Sequence, residues 1–131
     1  MTLVDTGAWY AYYVPSDPDH PAAVGWWGGN RVPLLTTDYI IDETLTLMRS
    51  RGHGAKALAF GAAVFSGQVA TVYFLTPADI AAAWDVLRRY TDKDWSFTDC
   101  TSKVVIELLG VPQAFSFDQH FRQFGSVAVV P

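Results

Sequence analysis

Four carboxylates stand where a folded chain needs a reason to put them. Asp5 ends the short apolar run Thr2-Leu3-Val4, with Gly7 two residues on, and Asp118 follows Phe115-Ser116-Phe117 in the same strand-then-acid arrangement. Glu43 lies within one helical stretch and Asp99 opens another. A buried strand that delivers an acid to its carboxyl end is how open α/β sheets place ligand chemistry. An unpaired buried carboxylate is costly. Acids gathered in one cleft repel one another unless a divalent cation neutralises them. The expectation is an acidic metal site.

Each acid also has an ordinary reading. Asp5 is placed to cap the helix that begins near Gly7. At about 100° per residue, Ile40, Ile41, Leu45, Leu47 and Met48 form one face of the helix over 38–51. Glu43 falls at the edge of that face, aimed at a cleft, while Asp42 falls away from it and reads as solvated. Asp99 is favoured at a helix start by unpaired N–H groups and the dipole, and stands one turn before Lys103. Asp118 reads alternatively as a turn residue. Asp92 and Asp94, in the loop before Asp99, are candidate peripheral ligands, with an ordinary loop acid as the alternative for each. Thr6, Thr37, Ser96 and Thr98 are candidates for hydrogen bonds that orient the acids. His20, His53 and His120 show no metal-ligand spacing and read as surface or packing residues; Cys100 reads as a buried structural thiol.

The elements that must position these residues alternate. A first strand leads to a helix over 7–14 stopped by Pro15, and a second helix spans 20–28. A short strand over 33–36 precedes the helix over 38–51, which ends at Gly52, and another helix runs over 55–65. Val69 to Leu75, rich in β-branched and aromatic residues, carries the strongest strand signal. A helix over 77–90 follows, with Ile80, Ala83, Trp84 and Leu87 on one face. A polar loop then leads to the helix over 99–109, which stops at Gly110. Short strands over 114–117 and 127–130 flank a polar-aromatic stretch containing Gln119 to Phe124. Strands alternating with helices predict an α/β fold, a mainly parallel central sheet with helices on both faces.

The totals set bounds. At 131 residues, half of them hydrophobic and 17% charged, the chain is expected to form one globular domain over 1–131. The single cysteine offers no internal disulfide. No stretch approaches the roughly 20 apolar residues of a membrane span, so the default is a soluble cytoplasmic protein with no membrane partner. A net charge of -4 argues against a protein that coats nucleic acid, although a bound cation changes the local sign.

Taken in order, Leu3-Val4-Asp5-Thr6, then Thr36-Thr37-Asp38-Tyr39 leading into Asp42-Glu43, then Asp94-Trp95-Ser96-Phe97-Thr98-Asp99-Cys100-Thr101-Ser102, then Ser116-Phe117-Asp118-Gln119-His120-Phe121, resemble the PIN domain. More narrowly they are similar to VapC-type toxins of bacterial toxin–antitoxin pairs. The resemblance covers nearly the whole chain. It implies a three-layer α/β/α fold, with Asp5, Glu43, Asp99 and Asp118 as an acidic metal-binding quartet. It also implies Mg²⁺ or Mn²⁺, hydrolysis of RNA, a homodimer and inhibition by a small cognate antitoxin. The segment after the first strand is more aromatic than the family pattern, with Trp9, Tyr10, Tyr12, Tyr13, Trp26 and Trp27; position 116 is Ser where members often carry Thr.

Oxygen ligands without His or Cys suit Mg²⁺ or Mn²⁺ rather than Zn²⁺, and such ions support phosphodiester hydrolysis. Arg49, Arg51, Lys93 and Lys103 are candidates to guide an RNA backbone, each with a solvated surface role as the alternative. The aromatic segment reads as core or dimer contact before base stacking. Three rivals stand beside the ribonuclease. A phosphatase of the haloacid-dehalogenase type needs a second acid where Gly7 stands. A non-catalytic binding module would be favoured by loss of a quartet member. A DNA-directed nuclease is left open by the residues.

Overall fold

The computed structural model describes residues 1–131, and its centre is a five-stranded sheet with every neighbouring pair parallel. β1 (Thr2–Val4), β2 (Leu34–Thr37), β3 (Thr71–Tyr73), β4 (Gln113–Phe115) and β5 (Ala128–Val130) lie in the order β3-β2-β1-β4-β5. Leu3 pairs with Leu35 on one side and Ala114 on the other. β1 is therefore central, and Leu3 and Val4 are fully buried. A parallel strand covered on both faces carries no polar alternation, which is why the opening run is apolar throughout.

Seven helices flank this sheet: α1 (Thr6–Tyr13), α2 (His20–Gly29), α3 (Asp38–Ser50), α4 (Gly54–Phe65), α5 (Pro77–Arg89), α6 (Phe97–Leu109) and α7 (Gln119–Gln123). The result is the α/β/α arrangement expected from the alternation of elements. From β1 the chain winds outward through β2 to β3, then crosses back to place β4 on the other side of β1. The gap between β1 and β4 is thus the point where strand order reverses, the usual ligand crevice of such sheets.

The structure departs from the sequence reading in four places. The strand expected over 69–75 is only Thr71–Tyr73, at the sheet edge, with Phe74 63% exposed. The Leu75 N–H goes to the Asp38 carboxylate at 3.1 Å instead of a ladder. Thr76 then starts α5 with a capping box shared with Asp79. β-branched composition reports a half-buried pleated surface, not ladder length. On α5, Ala83 is buried but Trp84 is 54% exposed, so the apolar face is narrower than expected. α6 begins at Phe97, capped by Ser96, which puts Asp99 at its third position rather than its first. The stretch after Asp118 contains α7, a helix too short for periodicity to reveal.

The aromatic segment packs into and against the core, with Trp9 and Tyr10 buried and Tyr12, Tyr13, Trp26 and Trp27 half-buried. Trp9 is fully buried, with ring centroids 5.1 Å from Phe60 and 5.5 Å from Trp27. Its indole N–H donates to the Thr36 hydroxyl at 3.3 Å. Trp26 stacks on Phe115 and Tyr12 on Trp27. These contacts tie α1 and α2 to the sheet and hold the start of α1 in place above the end of β1.

Candidate metal-dependent nuclease site

Asp5 leaves the central strand and immediately caps α1, its Oδ1 accepting the Ala8 N–H at 2.7 Å. Asp118 stands two residues beyond the neighbouring Ser116 and caps α7, its Oδ1 accepting the His120 N–H at 2.9 Å. Asp99 closes the capping box of α6, its Oδ2 accepting the Ser96 N–H at 3.0 Å. The capping readings and the site reading are therefore compatible: one lone pair fixes each carboxylate to the backbone while others remain.

Asp5, Thr6, Gly7, Ile40, Glu43, Thr98, Asp99, Ser102, Asp118 and Phe121 line one cavity of about 190 Å³. Glu43, half-buried on α3, sits where this cavity meets a more open groove along α3 that Asp42 and Thr46 also line. Asp42 itself is exposed. The four acids named from the sequence thus share one enclosure. Only Asp99 and Asp118 belong to the compact group whose ligand atoms lie within 4.8 Å of one another, and the third member is His120.

His120 is the residue that sequence reasoning missed. Its Nδ1 lies 3.0 Å from Asp99 Oδ2 and 3.3 Å from Asp118 Oδ2, so it is neither a surface nor a packing histidine. The signal was its place two residues after an acid at a strand end, a spacing that matches no metal motif. The other histidines behave as expected: His20 Nδ1 contacts the Ala11 carbonyl at 2.7 Å and His53 packs edge-on to Tyr10.

The peripheral residues divide. Thr6 and Thr98 line the cavity, and Ser96 caps α6. Asp94 is exposed and outside it, and Asp92 pairs with Lys93. Thr37 caps α3 through the Ile40 N–H. Lys103 is almost buried, paired with Glu107 and set over the Tyr90 ring, which removes it as a guide for RNA and as a partner of Asp99. Arg51 lies over the Tyr10 ring. Cys100 is a buried free thiol, pushed up from its ordinary value by burial.

Electrostatically the site is under tension. Burial pushes the Asp5 carboxyl up to about 7; hydrogen bonds from Ser116 and Ala8 oppose this, and the charges of Asp118 and Asp99 add to it. Asp99 is also raised, chiefly by burial, with Ser96 and His120 opposing. The Thr6 and Ser102 hydroxyls are buried without hydrogen-bond partners beside these acids. Carboxylates whose charged form burial disfavours, with unpartnered hydroxyls alongside, fit a hard divalent cation that would offset that cost and take their oxygens as ligands.

Fold and site together define a class. The chain belongs to the PIN domain family, whose pattern matches residues 2–127. It is 33% identical over 132 residues to the 23S rRNA-specific endonuclease VapC20 of Mycobacterium tuberculosis, covering 100% of this chain and 99% of that protein. It is 32% identical over 127 residues to the VapC ribonuclease of Archaeoglobus fulgidus, covering 91% of this chain and 78% of that protein. The crystal structure of M. tuberculosis VapC20, described as a sarcin–ricin loop cleaving toxin, superposes with a TM-score of 0.93 at 30% identity over the full length of both chains. FitAcB from Neisseria gonorrhoeae, 15% identical with a TM-score of 0.67, shares the fold. Within the family, these matches set the chain among the VapC-type toxins.

Proposed function

We propose that this protein is the ribonuclease toxin of a toxin–antitoxin pair, hydrolysing RNA phosphodiester bonds with Mg²⁺ or Mn²⁺ held by Asp5, Glu43, Asp99 and Asp118. The observation that carries the reading is the shared cavity at the carboxyl edge of β1 and β4, which collects all four acids from four separate segments. A bound divalent ion there supplies activation of water and neutralisation of charge at the scissile phosphate.

The chain's own residues do the rest. The Ala8 and Ser96 N–H groups hold Asp5 and Asp99 in fixed orientations. The Ser116 hydroxyl donates to Asp5 and favours its charged form. The Thr6 and Ser102 hydroxyls offer neutral donors to phosphate or water oxygens inside an otherwise acidic wall. Phe121 and Ile40 close the cavity with apolar surface.

The partners proposed are RNA, a small cognate antitoxin and a second copy of this chain as a homodimer. The full-length similarity to VapC20 makes the sarcin–ricin region of 23S rRNA the first substrate to test. No helix is long and apolar enough to cross a membrane. The test is incubation of purified ribosomes, total RNA and a DNA of matched sequence with the protein in Mn²⁺, with cut sites mapped by primer extension. Discrete cleavage of 23S rRNA supports the reading. Cleavage of the DNA alone transfers the activity to a deoxyribonuclease, and cleavage of nothing by a protein that binds Mn²⁺ leaves a binding module.

A further inference from the structure

We infer that His120 is a positioning residue of the acidic centre, bridging Asp99 and Asp118 and holding both carboxylates in the arrangement that takes up a divalent cation. This rests on the reading of those acids as metal ligands.

The ring nitrogen Nδ1 faces two carboxylate oxygens, Asp99 Oδ2 at 3.0 Å and Asp118 Oδ2 at 3.3 Å. In the charged form that holds a cation both carboxylates only accept hydrogen bonds, so there Nδ1 is the N–H donor. The same residue's backbone N–H donates to Asp118 Oδ1 at 2.9 Å. His120 therefore holds Asp118 through its backbone N–H, sets its ring nitrogen against that residue's other oxygen, and ties it to an acid from a different element. His120 is the one residue that hydrogen-bonds both of these carboxylates. Asp99 Oδ2 is occupied by Ser96 and His120, which leaves Oδ1 free of hydrogen bonds.

The bridge is itself anchored. Phe121, next in sequence, is 1% exposed, and Phe124 packs edge-on against Trp95. The Trp95 indole N–H donates to Gln123 at 2.8 Å, fastening α7 to the loop before α6. The short helix thus serves as a mount for one imidazole. Residues that orient metal ligands typically contribute 10–100-fold to metal affinity.

The test is calorimetric titration of Mn²⁺ into the full chain as wild type, Asp5→Asn, His120→Ala and His120→Asn, with a thermal melt of each. Asn is the conservative variant, because its amide N–H reaches the place of Nδ1. The expected result is a roughly 10–100-fold loss of Mn²⁺ affinity in His120→Ala, most of it restored in His120→Asn, with cooperative melts in both. Wild-type affinity in His120→Ala overturns the inference, as does an Asn variant no better than Ala. If neither variant folds, the ¹⁵N spectrum of the wild-type imidazole decides: a protonated Nδ1 supports the bridge and a bare Nδ1 refutes it. A wild type that takes up no Mn²⁺ sinks the metal reading itself, and this inference with it.

Discussion

The Ser116 hydroxyl donates to Asp5 Oδ2 across the gap between the ends of two adjacent parallel strands, β4 and β1. Asp5 and Ser116 are 5% and 2% exposed, and 111 residues separate them in sequence. The sheet's register alone brings them together: Val4 pairs with Phe115, so the next residue on each strand arrives at the same crevice. Ser116 also accepts the Asp118 N–H at 3.0 Å, so one hydroxyl links two acids of the centre.

Ser116→Ala removes that donor and leaves a buried carboxylate oxygen short of a partner. A destabilisation of about 1–3 kcal/mol is expected, together with a further rise of the Asp5 pKa. Ser116→Thr keeps the hydroxyl and is expected to keep most activity. Denaturant titration and cleavage rates of the two variants side by side check this, and an Ala variant equal to Thr in both assays contradicts it.

The stability of the metal-free protein should fall with rising pH. Asp5 titrates near 3.8 when exposed and about 7 in the fold. Below both values the carboxyl is protonated in either state and the full stability is present. Between them folding must take up a proton, so stability drops as pH rises, and above the folded value the whole cost of burying the charge remains. At about 1.4 kcal/mol per pKa unit the loss between pH 4 and pH 8 is at most about 4 kcal/mol. Unfolding in EDTA across that range should show a steeper decline for wild type than for Asp5→Asn; parallel curves would remove Asp5 as the source.

Glu43 and Asp42 are neighbours with opposite expectations. Glu43 lines the acidic cavity and Asp42 is exposed beyond it. Glu43→Gln should lower cleavage by about 100-fold or more, since one residue's transition-state contribution commonly reaches about 3 kcal/mol. Asp42→Asn should change it less than about twofold, as surface substitutions stay within about 0.5 kcal/mol. Equal effects would show that helix geometry misassigned the pair.

Phe60 tests the aromatic core independently of the site. It is fully buried against Trp9 and Tyr13. Phe60→Ala should cost about 3–5 kcal/mol while leaving the acids in place, so the folded fraction at low temperature should still cleave. A variant that melts like wild type would place that ring outside the core.

The residues that were legible in sequence share a reason. Asp5 directly follows β1, and Asp118 follows an apolar run of which only Gln113–Phe115 is strand; a charge after an apolar run shows without any knowledge of the fold. Glu43 was separable from Asp42 because α3 has a regular 3.6-residue period, with Ile40, Ile41 and Met48 buried as that period requires. His120 was illegible because α7 is five residues long and its role depends on Asp99, which is 21 residues away. β3 was overread because Val69 to Leu75 has strand composition, while Asp38 and the capping box at Thr76 end its ladder. Lys103 was misjudged because its nearest acid in the fold is Glu107 on the outer turn, not Asp99. Local period survives in sequence; cross-element partners do not.

The most direct test of the acidic centre is cleavage of total RNA by wild type and Asp5→Asn, each in Mg²⁺, in Mn²⁺ and in EDTA. The arrangement of Asp5, Glu43, Asp99 and Asp118 around one cavity predicts cutting by wild type in at least one metal, none in EDTA, and none by the mutant in any condition. Cutting that persists in EDTA, or in Asp5→Asn at the wild-type rate, would contradict it.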